Sequence, residues 1–399
     1  AKNSSLEGGE QRYWPLSSGQ LADFKATLKR KFFVDSSILC ICDAMMPSVT
    51  SRFEVVSSGG NMAKKGTEAA ENSEFILGMD IGYSNFKLAF GHRESDMTTL
   101  VRPVGAAPLS LMPQKIGGGH GSDFVQVLVN NEQWAACVEP GRIQGWEREL
   151  HADYPSTNQY KALFYAALAL TEQPVIDVLV TGLPVDQFKD ENTRKRLKDK
   201  LTGNHQIANQ TTIEVKKVVV VPQPAGAYMD ISESVQEDEI EAVINQGRTV
   251  VIDPGFFSVD WVSIAAGEMR YNSSGTSLKA MSVLLDDAAS RIKEEFGGQL
   301  SVEKLESAIV SGKNEIPLYG KMVPIKSYVE EAIKKIPDLA LTSMKKSMRE
   351  EGLDADVILL AGGGATFYKE AAKRIFPKAH IIMSANPELA NARGFWMLG

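Results

Sequence analysis

The chain has 399 residues, enough for two or three domains, and its 43% hydrophobic, 23% charged and 8% aromatic residues are those of a globular protein that builds a core. Its formal net charge of −7, from 43 Lys and Arg against 50 Asp and Glu, argues against a general nucleic-acid binder. The three cysteines, Cys40, Cys42 and Cys137, exclude a disulfide framework and fit a reducing compartment, and the five scattered histidines have no metal-ligand spacing.

No apolar run reaches the ~18 residues that a membrane span needs, the longest being 162–170. No basic-then-apolar signal opens the chain, so a cytoplasmic protein is expected. Residues 1–60 differ in texture from the rest, with a helix expected at Gln20–Lys31 and strands at Ser37–Cys42 and Arg52–Val56. The Gly, Ser and Lys-rich stretch at 57–68 has no periodicity and reads as a linker. Met62 is a natural start for the module that follows.

From Glu74 onward strands and helices alternate, the signature of a mixed α/β fold with covered sheets. Strands are expected at Phe75–Asp80, Asn85–Phe90, Glu132–Val138, Val175–Thr181, Val215–Val221, Thr249–Asp253, Val259–Ala265 and Val357–Leu360. Helices are expected at Asn158–Leu170, Leu278–Phe296, Val302–Ser311, Ile325–Glu350 with a break at Pro337, and Thr366–Ile375. The basic run 193–200 reads as the solvated face of a helix. Two halves each open with strand, acid, glycine turn and strand.

Three such places carry chemistry. In the first, a buried strand delivers Asp80 to its end, Gly82 permits a tight turn, Ser84 and Asn85 offer donors, and Lys87 adds a positive charge. A nucleoside triphosphate needs that inventory, with a carboxylate for hydrated Mg²⁺. The plainer alternative is an ordinary hairpin turn. The second place repeats the first: Asp253, Pro254, Gly255, Phe256, Phe257 and Ser258 follow an apolar strand and lead into another. Two such hairpins facing each other would clamp phosphates from both sides. The third is Gly362, Gly363, Gly364 and Ala365 between a strand and a helix, a surface on which a nucleoside can lie flat, or else simply a flexible loop. Between the hairpins, the strand 218–221 breaks at Pro222-Gln223-Pro224. Gln223 at that break is either a surface turn residue or one that orients an attacking water.

This order of motifs resembles the superfamily of actin, sugar kinases and the seventy-kilodalton heat-shock chaperones. It is more closely similar to the ParM/StbA plasmid-segregation ATPases, including those named for PRTRC gene clusters, over about Phe75 to Gly399. The segments Val180–Val185 with Phe188–Asp190, and Asn386–Phe395, add to the likeness. The resemblance implies a duplicated, ribonuclease H-like ATPase fold: domain I at 75–222, joined by a returning helix at 387–399, and domain II at 223–386. The extension 1–60 and linker 61–74 precede them. It implies ATP and Mg²⁺ as ligands, with Asp80 and Asp253 holding the metal through water. Gly82, Tyr83, Ser84, Asn85 and Lys87 would contact the β- and γ-phosphates from one side, and Gly255, Phe256, Phe257 and Ser258 from the other. Gln223 takes the hydrolytic-water position. Gly362, Gly363, Gly364 and Ala365 lie against the nucleoside, and Ser274 and Gly275, opening a helix, approach the adenine and ribose.

The same resemblance implies dynamic filaments of the protein itself, a DNA-bound adaptor as partner, plasmid segregation, and no direct contact with nucleic acid or membrane. Pro254, Phe256 and Phe257 depart from the small residues of the wider superfamily, some ParM-like proteins have Glu where Gln223 stands, and the front segment has no counterpart. Three other readings share the fold. A small-molecule kinase would need a base beside a substrate hydroxyl, for which Asp186 is the candidate. A chaperone would need a substrate domain beyond the ATPase module, where the chain stops. A scaffold would bind nucleotide without hydrolysis.

Overall fold

The computed structural model describes residues 73–114, 123–145, 148, 153–348 and 355–399. The helix expected at Gln20–Lys31, the strands at Ser37–Cys42 and Arg52–Val56, the front segment 1–60 and the linker up to residue 72 lie outside the described residues.

The first half runs β1 (Phe75–Ile81), β2 (Asn85–His92), β3 (Thr98–Pro103), β4 (Gly105–Pro108), β5 (Val125–Val129), β6 (Glu132–Val138), α1 (Asn158–Leu170), β7 (Val175–Leu183), α2 (Val185–Lys189), α3 (Glu191–Leu201), β8 (Gly203–Ala208) and β9 (Thr211–Pro222). The second runs α4 (Gln223–Ser234), α5 (Asp238–Gln246), β10 (Arg248–Pro254), β11 (Val259–Ala265), β12 (Glu268–Met269), β13 (Gly275–Ser277), α6 (Met281–Phe296), α7 (Val302–Val310), β14 (Glu315–Leu318), β15 (Lys321–Pro324), α8 (Lys326–Ser347), β16 (Val357–Leu360), α9 (Ala365–Ile375), β17 (His380–Met383) and α10 (Ala390–Leu398).

Two sheets carry the same plan. In the first, ordered β3-β2-β1-β7-β9-β8, an antiparallel β1–β2 hairpin is followed by β7 and β9 in parallel. In the second, ordered β12-β11-β10-β16-β17, the antiparallel β10–β11 hairpin is followed by β16 and β17 in parallel. The central strands β1 and β10 are buried almost throughout, which their near-continuous apolar runs require of strands covered on both faces. One face of the first sheet packs on α1 and the small β4-β6-β5 sheet, and one face of the second on α6, α7, α8 and α9.

The opposite faces are covered by exchange. Helix α4 leaves β9 of the first sheet, yet its Ala227, Tyr228 and Ile231 pack with Val251, Val262 and Leu359 of the second. Helix α10 follows the last strand of the second sheet, and its Phe395 packs with Ile76, Val178 and Val180 of the first. The two helices cross at Gly226 and Gly394, where a Cβ on Gly394 would overlap the Gly226 carbonyl oxygen. An ion pair between Arg393 Nε and Asp230 Oδ1, 2.8 Å apart, ties α10 to α4 beside the crossing.

Helix α8 runs unbroken through Pro337, where the sequence predicts a break. Proline costs the hydrogen bond to the Ile333 carbonyl, but Val329, Ala332, Ile336, Ala340, Leu341 and Met344 hold both halves of the helix on one core. The helix expected from Leu278 starts at Met281, because Gly275–Ser277 is claimed by β11 as an antiparallel partner. β17 and α5 escape the sequence patterns: one is only four residues long, and the other buries a single residue, Ile244. Among the described residues no helix is long and apolar enough to cross a membrane.

The helix crossing gives a direct test. Gly394→Ala is expected to lower stability by about 1–3 kcal/mol through overpacking at backbone contact. Thermal denaturation checks this, and an unchanged midpoint would show that the crossing is looser than described.

Candidate functional site

The β1–β2 and β10–β11 hairpins match position for position. Asp80 pairs with Lys87 in register, and Asp253 with Asp260. The Gly82 N–H donates to the Asn85 carbonyl at 3.1 Å, and the Gly255 N–H to the Ser258 carbonyl at 2.8 Å, so the two turns close alike. Both turns open into one cavity of about 440 Å³, a volume within the range of small-molecule sites. Their tips touch across it: the Tyr83 and Phe257 rings are 4.9 Å apart, and Tyr154 stacks on Tyr83, also at 4.9 Å.

The third wall is the loop after β16. Gly362 has φ +81, a left-handed conformation that favours glycine, and a Cβ there would overlap the Asp253 carboxylate. The Gly364 N–H donates to the Pro254 carbonyl at 2.9 Å, which holds the loop on the second hairpin, while Gly363 faces open space. Gln223 is the first residue of α4 and packs on Gly182, a Cβ on which would sit 2.7 Å from Gln223 Cγ. Its Nε2 donates to Asp80 Oδ1 at 3.3 Å.

The cavity wall therefore brings together Asp80, Gly82, Tyr83, Ser84, Asn85, Lys87, Gln223, Asp253, Gly255, Phe256, Phe257, Ser258, Gly362, Gly363 and Gly364. Ser274, Gly275 and Ala365 are not on it. The Ser274 hydroxyl is engaged within the second sheet, accepting from the Ser263 N–H at 3.0 Å and donating to the Arg270 carbonyl at 2.8 Å. Gly275 packs against the Trp261 ring in a strand rather than opening a helix, and Ala365 is fully buried at the start of α9. Asp186 is also off the wall, where it pairs with Lys189 at 3.1 Å.

Several wall residues were not singled out in the sequence: Glu306 and Arg148 lie outside every motif, and Glu388 and Asn391 lie in the 386–395 segment without being marked as site residues. Glu306 of α7 accepts a hydrogen bond from the Ser84 hydroxyl and pairs with Arg148 at 2.8 Å. The Arg148 guanidinium lies 3.8 Å from the Phe256 ring centroid. Glu388 accepts from Asn85 Nδ2 at 2.6 Å, and Asn391 of α10 donates to Asp253 Oδ2 at 2.7 Å while its own Oδ1 is buried without a hydrogen-bond partner. Asp260 accepts from Ser258 Oγ and Thr276 Oγ1, each at 2.6 Å, and from the Val185 N–H at 2.8 Å. Asp260 had a further clue, its place seven residues after Asp253 matching that of Lys87 after Asp80.

Among the described residues the wall thus carries five carboxylates (Asp80, Asp253, Asp260, Glu306 and Glu388) and a single lysine, Lys87. Burial, aided by the charges of Asp80 and Asp260, pushes the Asp253 carboxyl up to about 7 against the donor of Asn391. Burial likewise raises Asp260. Lys87 is raised despite its burial, because Asp80, Glu388 and Asp253 favour its charge. Among the described residues no group of three or more His, Cys, Asp or Glu side chains is arranged to hold a metal directly.

The Asp253 shift fixes a sign. The folded protein holds a proton that the unfolded chain releases near the ordinary carboxylate range, so the stabilisation is complete below about pH 4 and lost as pH rises to about 7. The stability of wild type relative to Asp253→Asn is expected to fall between about pH 4 and 7. Denaturant titration across that range checks it, and a constant difference would contradict the burial of an ionisable Asp253.

Two family models match the chain: "Actin like proteins N terminal domain" over residues 78–226, and "Archaeal actin homologue MreB-like, C-terminal" over residues 251–374. No curated protein matches it significantly in sequence. Solved structures share its fold: a 15-stranded ParM filament from Clostridium botulinum has a TM-score of 0.63 at 19% identity, over 82% of this chain and 99% of the other. An archaeal actin homologue in complex with ADP scores 0.62 at 16% identity, over 81% and 98%. Bacillus thuringiensis ParM with AMPPNP scores 0.54 at 14% identity, over 82% and 98%. One model takes in the first hairpin and the start of α4, the other the second hairpin and the glycine loop, and on that two-part match the chain belongs to the actin-like protein family.

Proposed function

We propose that this chain is a ParM-like ATPase that binds Mg-ATP in the cavity and polymerises into dynamic filaments, serving plasmid or other DNA segregation in the cytoplasm. The observation that carries the nucleotide reading is the pair of matched acid-tipped turns opening into one cavity. The filament reading is supported by the likeness in fold to a ParM filament. On this reading residues 75–222 with 387–399 form one domain and 223–386 the other, a copy of the chain is the main partner, and a DNA-bound adaptor links the filament to its cargo.

A divalent cation fits the residues present. Five carboxylates against one lysine would repel a bare polyphosphate, whereas an ion held through its own waters by Asp80 and Asp253 supplies the charge neutralisation that the phosphates need. The chain's own groups do the rest. Ser84, Asn85 and the backbone of Gly82 and Tyr83 bind the phosphates from one wall, and the Gly255–Ser258 turn binds them from the other. Lys87 adds its charge, and the Gly362–Gly364 loop lies against the nucleoside. Gln223, whose Nε2 is tied to Asp80, keeps its Oε1 free to accept from an attacking water. The kinase reading loses its candidate base, since Asp186 is half-exposed, paired with Lys189 and off the cavity wall.

Three outcomes test the proposal. Mixing with Mg-ATP is expected to raise light scattering above a critical protein concentration, and no rise at any concentration removes the filament claim while leaving the nucleotide site. Asp253→Ala is expected to cut ATP hydrolysis on the order of 10²-fold, and a parent rate in a phosphate-release assay would overturn the metal assignment. Glu306→Ala releases Ser84 and removes a negative charge, so ADP affinity is expected to rise on the order of tenfold, about one charge-assisted hydrogen bond. Weaker binding by calorimetry would instead make Glu306 a ligand of the nucleotide.

A further inference from the structure

Each half of the duplication sends one helix across to the other, and the two helices share a spacing. Gln223 stands three residues before Gly226 in α4, and Asn391 three residues before Gly394 in α10. Those glycines are the crossing point. A Cβ on Gly394 would lie 1.8 Å from the Gly226 carbonyl oxygen, and one on Gly226 would lie 2.5 Å from the Asn391 carbonyl oxygen. One turn back from the crossing, each amide meets the acid of the sheet that its helix is leaving. Gln223 Nε2 donates to Asp80 Oδ1 at 3.3 Å, and Asn391 Nδ2 donates to Asp253 Oδ2 at 2.7 Å. Asn391 is thus to the second half what Gln223 is to the first.

The two acids differ in what else holds them. In register opposite Asp80 is Lys87, whose Nζ donates to Asp80 Oδ2 at 3.3 Å, so both oxygens of that carboxylate have a donor. Opposite Asp253 is Asp260, whose oxygens accept from Ser258, Thr276 and the Val185 N–H, and whose charge repels Asp253. Among the described residues Asn391 is then the one side-chain donor to Asp253. The other oxygen, Oδ1, is packed against Gly362, where a Cβ would lie 2.0 Å away. Asn391 is 4% exposed, and its own Oδ1 is buried without a hydrogen-bond partner. That orphaned oxygen is unfavourable, and a leucine of similar volume would fill the space without it. Packing therefore does not explain an amide here, whereas its N–H group, aimed at Asp253, does.

Resting on the Mg-ATP reading above, we propose that Asn391 is a positioning residue for Asp253, the repeat counterpart of Gln223 at Asp80. It fixes the plane of a carboxylate that two like charges, Asp80 and Asp260, would otherwise turn aside, and so keeps Asp253 directed at the water shell of a divalent cation. Asn391 itself touches neither nucleotide nor cation.

Asn391→Leu tests this, because it keeps the volume and removes the donor. ADP affinity is measured by calorimetry in Mg²⁺ and again in EDTA, and the ratio of the two is the gain due to the cation. Asn391→Leu is expected to reduce that gain about tenfold or more, with the affinity in EDTA within about threefold of wild type. The Mg²⁺ concentration that half-activates ATP hydrolysis is expected to rise by a similar factor. Asn391→Ala, which removes the same donor but leaves a space, is expected to melt lower and yet show the same split, which separates positioning from packing. A full cation-dependent gain in both variants, or an equal loss of affinity in Mg²⁺ and in EDTA, would overturn the proposal. Wild type that binds ADP no more tightly in Mg²⁺ than in EDTA would overturn the cation reading with it, whereas a normal wild-type gain that both variants retain would remove this inference alone.

Discussion

Two helices that each leave one sheet and pack on the other require a crossing at backbone contact, and Gly226 and Gly394 supply it. With larger residues there, α4 and α10 would stand apart and the two sheets with them. The consequences reach the site directly. Gln223 begins α4, and Asn391, which donates to Asp253, lies one turn before Gly394 in α10. Gly78 of β1 closes the same junction, because a Cβ there would overlap the Ala392 carbonyl of α10. Small residues thus convert a packing constraint into the position of side chains from both halves around one cavity.

Within that cavity the governing effect is an excess of negative charge. Burial alone would neutralise some of the carboxylates, and Asp253, pushed up to about 7, is the clearest case. The donors that a phosphate chain would use are already satisfied by protein: Ser84 by Glu306 and Asn85 by Glu388. These carboxylates stand where anionic oxygens fit, so the arrangement of donors is preorganised for an anion even as the wall resists one that brings no cation. The Phe256 and Phe257 side chains, unusual at such a turn, take part rather than obstruct. Phe257 meets Tyr83 across the cavity, and Phe256 lies under Arg148, which pairs with Glu306.

Much of this was legible in the chain because it is local. A strand ending in an acid, a glycine that closes the turn and a hydroxyl two or three residues after that glycine depend on neighbours within ten positions. That pattern recurred at Asp80 and Asp253, and a resemblance to actin-like ATPases could be read from it. The triple glycine after β16 and the break at Pro222-Gln223-Pro224 were visible for the same reason. Ser274 and Gly275 show where local reading ends. Nothing nearby reveals that β11 takes residues 275–277 as a strand partner, which draws that segment into the sheet and away from the cavity wall.

By itself, then, the amino-acid order determined the alternation of strands and helices, the duplication, and the residue types at each hairpin turn, since short-range backbone geometry and burial period set all of these. Tertiary structure decided that the two turns share a cavity, that Glu306, Glu388, Asn391 and Arg148 join them, and that Gln187 reaches the wall with an unpaired oxygen. Those contacts join residues a hundred or more positions apart, or depend on how a short helix is fastened. The crossing of α4 and α10, the docking of α2 on the second sheet and the approach of α7 to the first hairpin bring such residues within hydrogen-bonding distance.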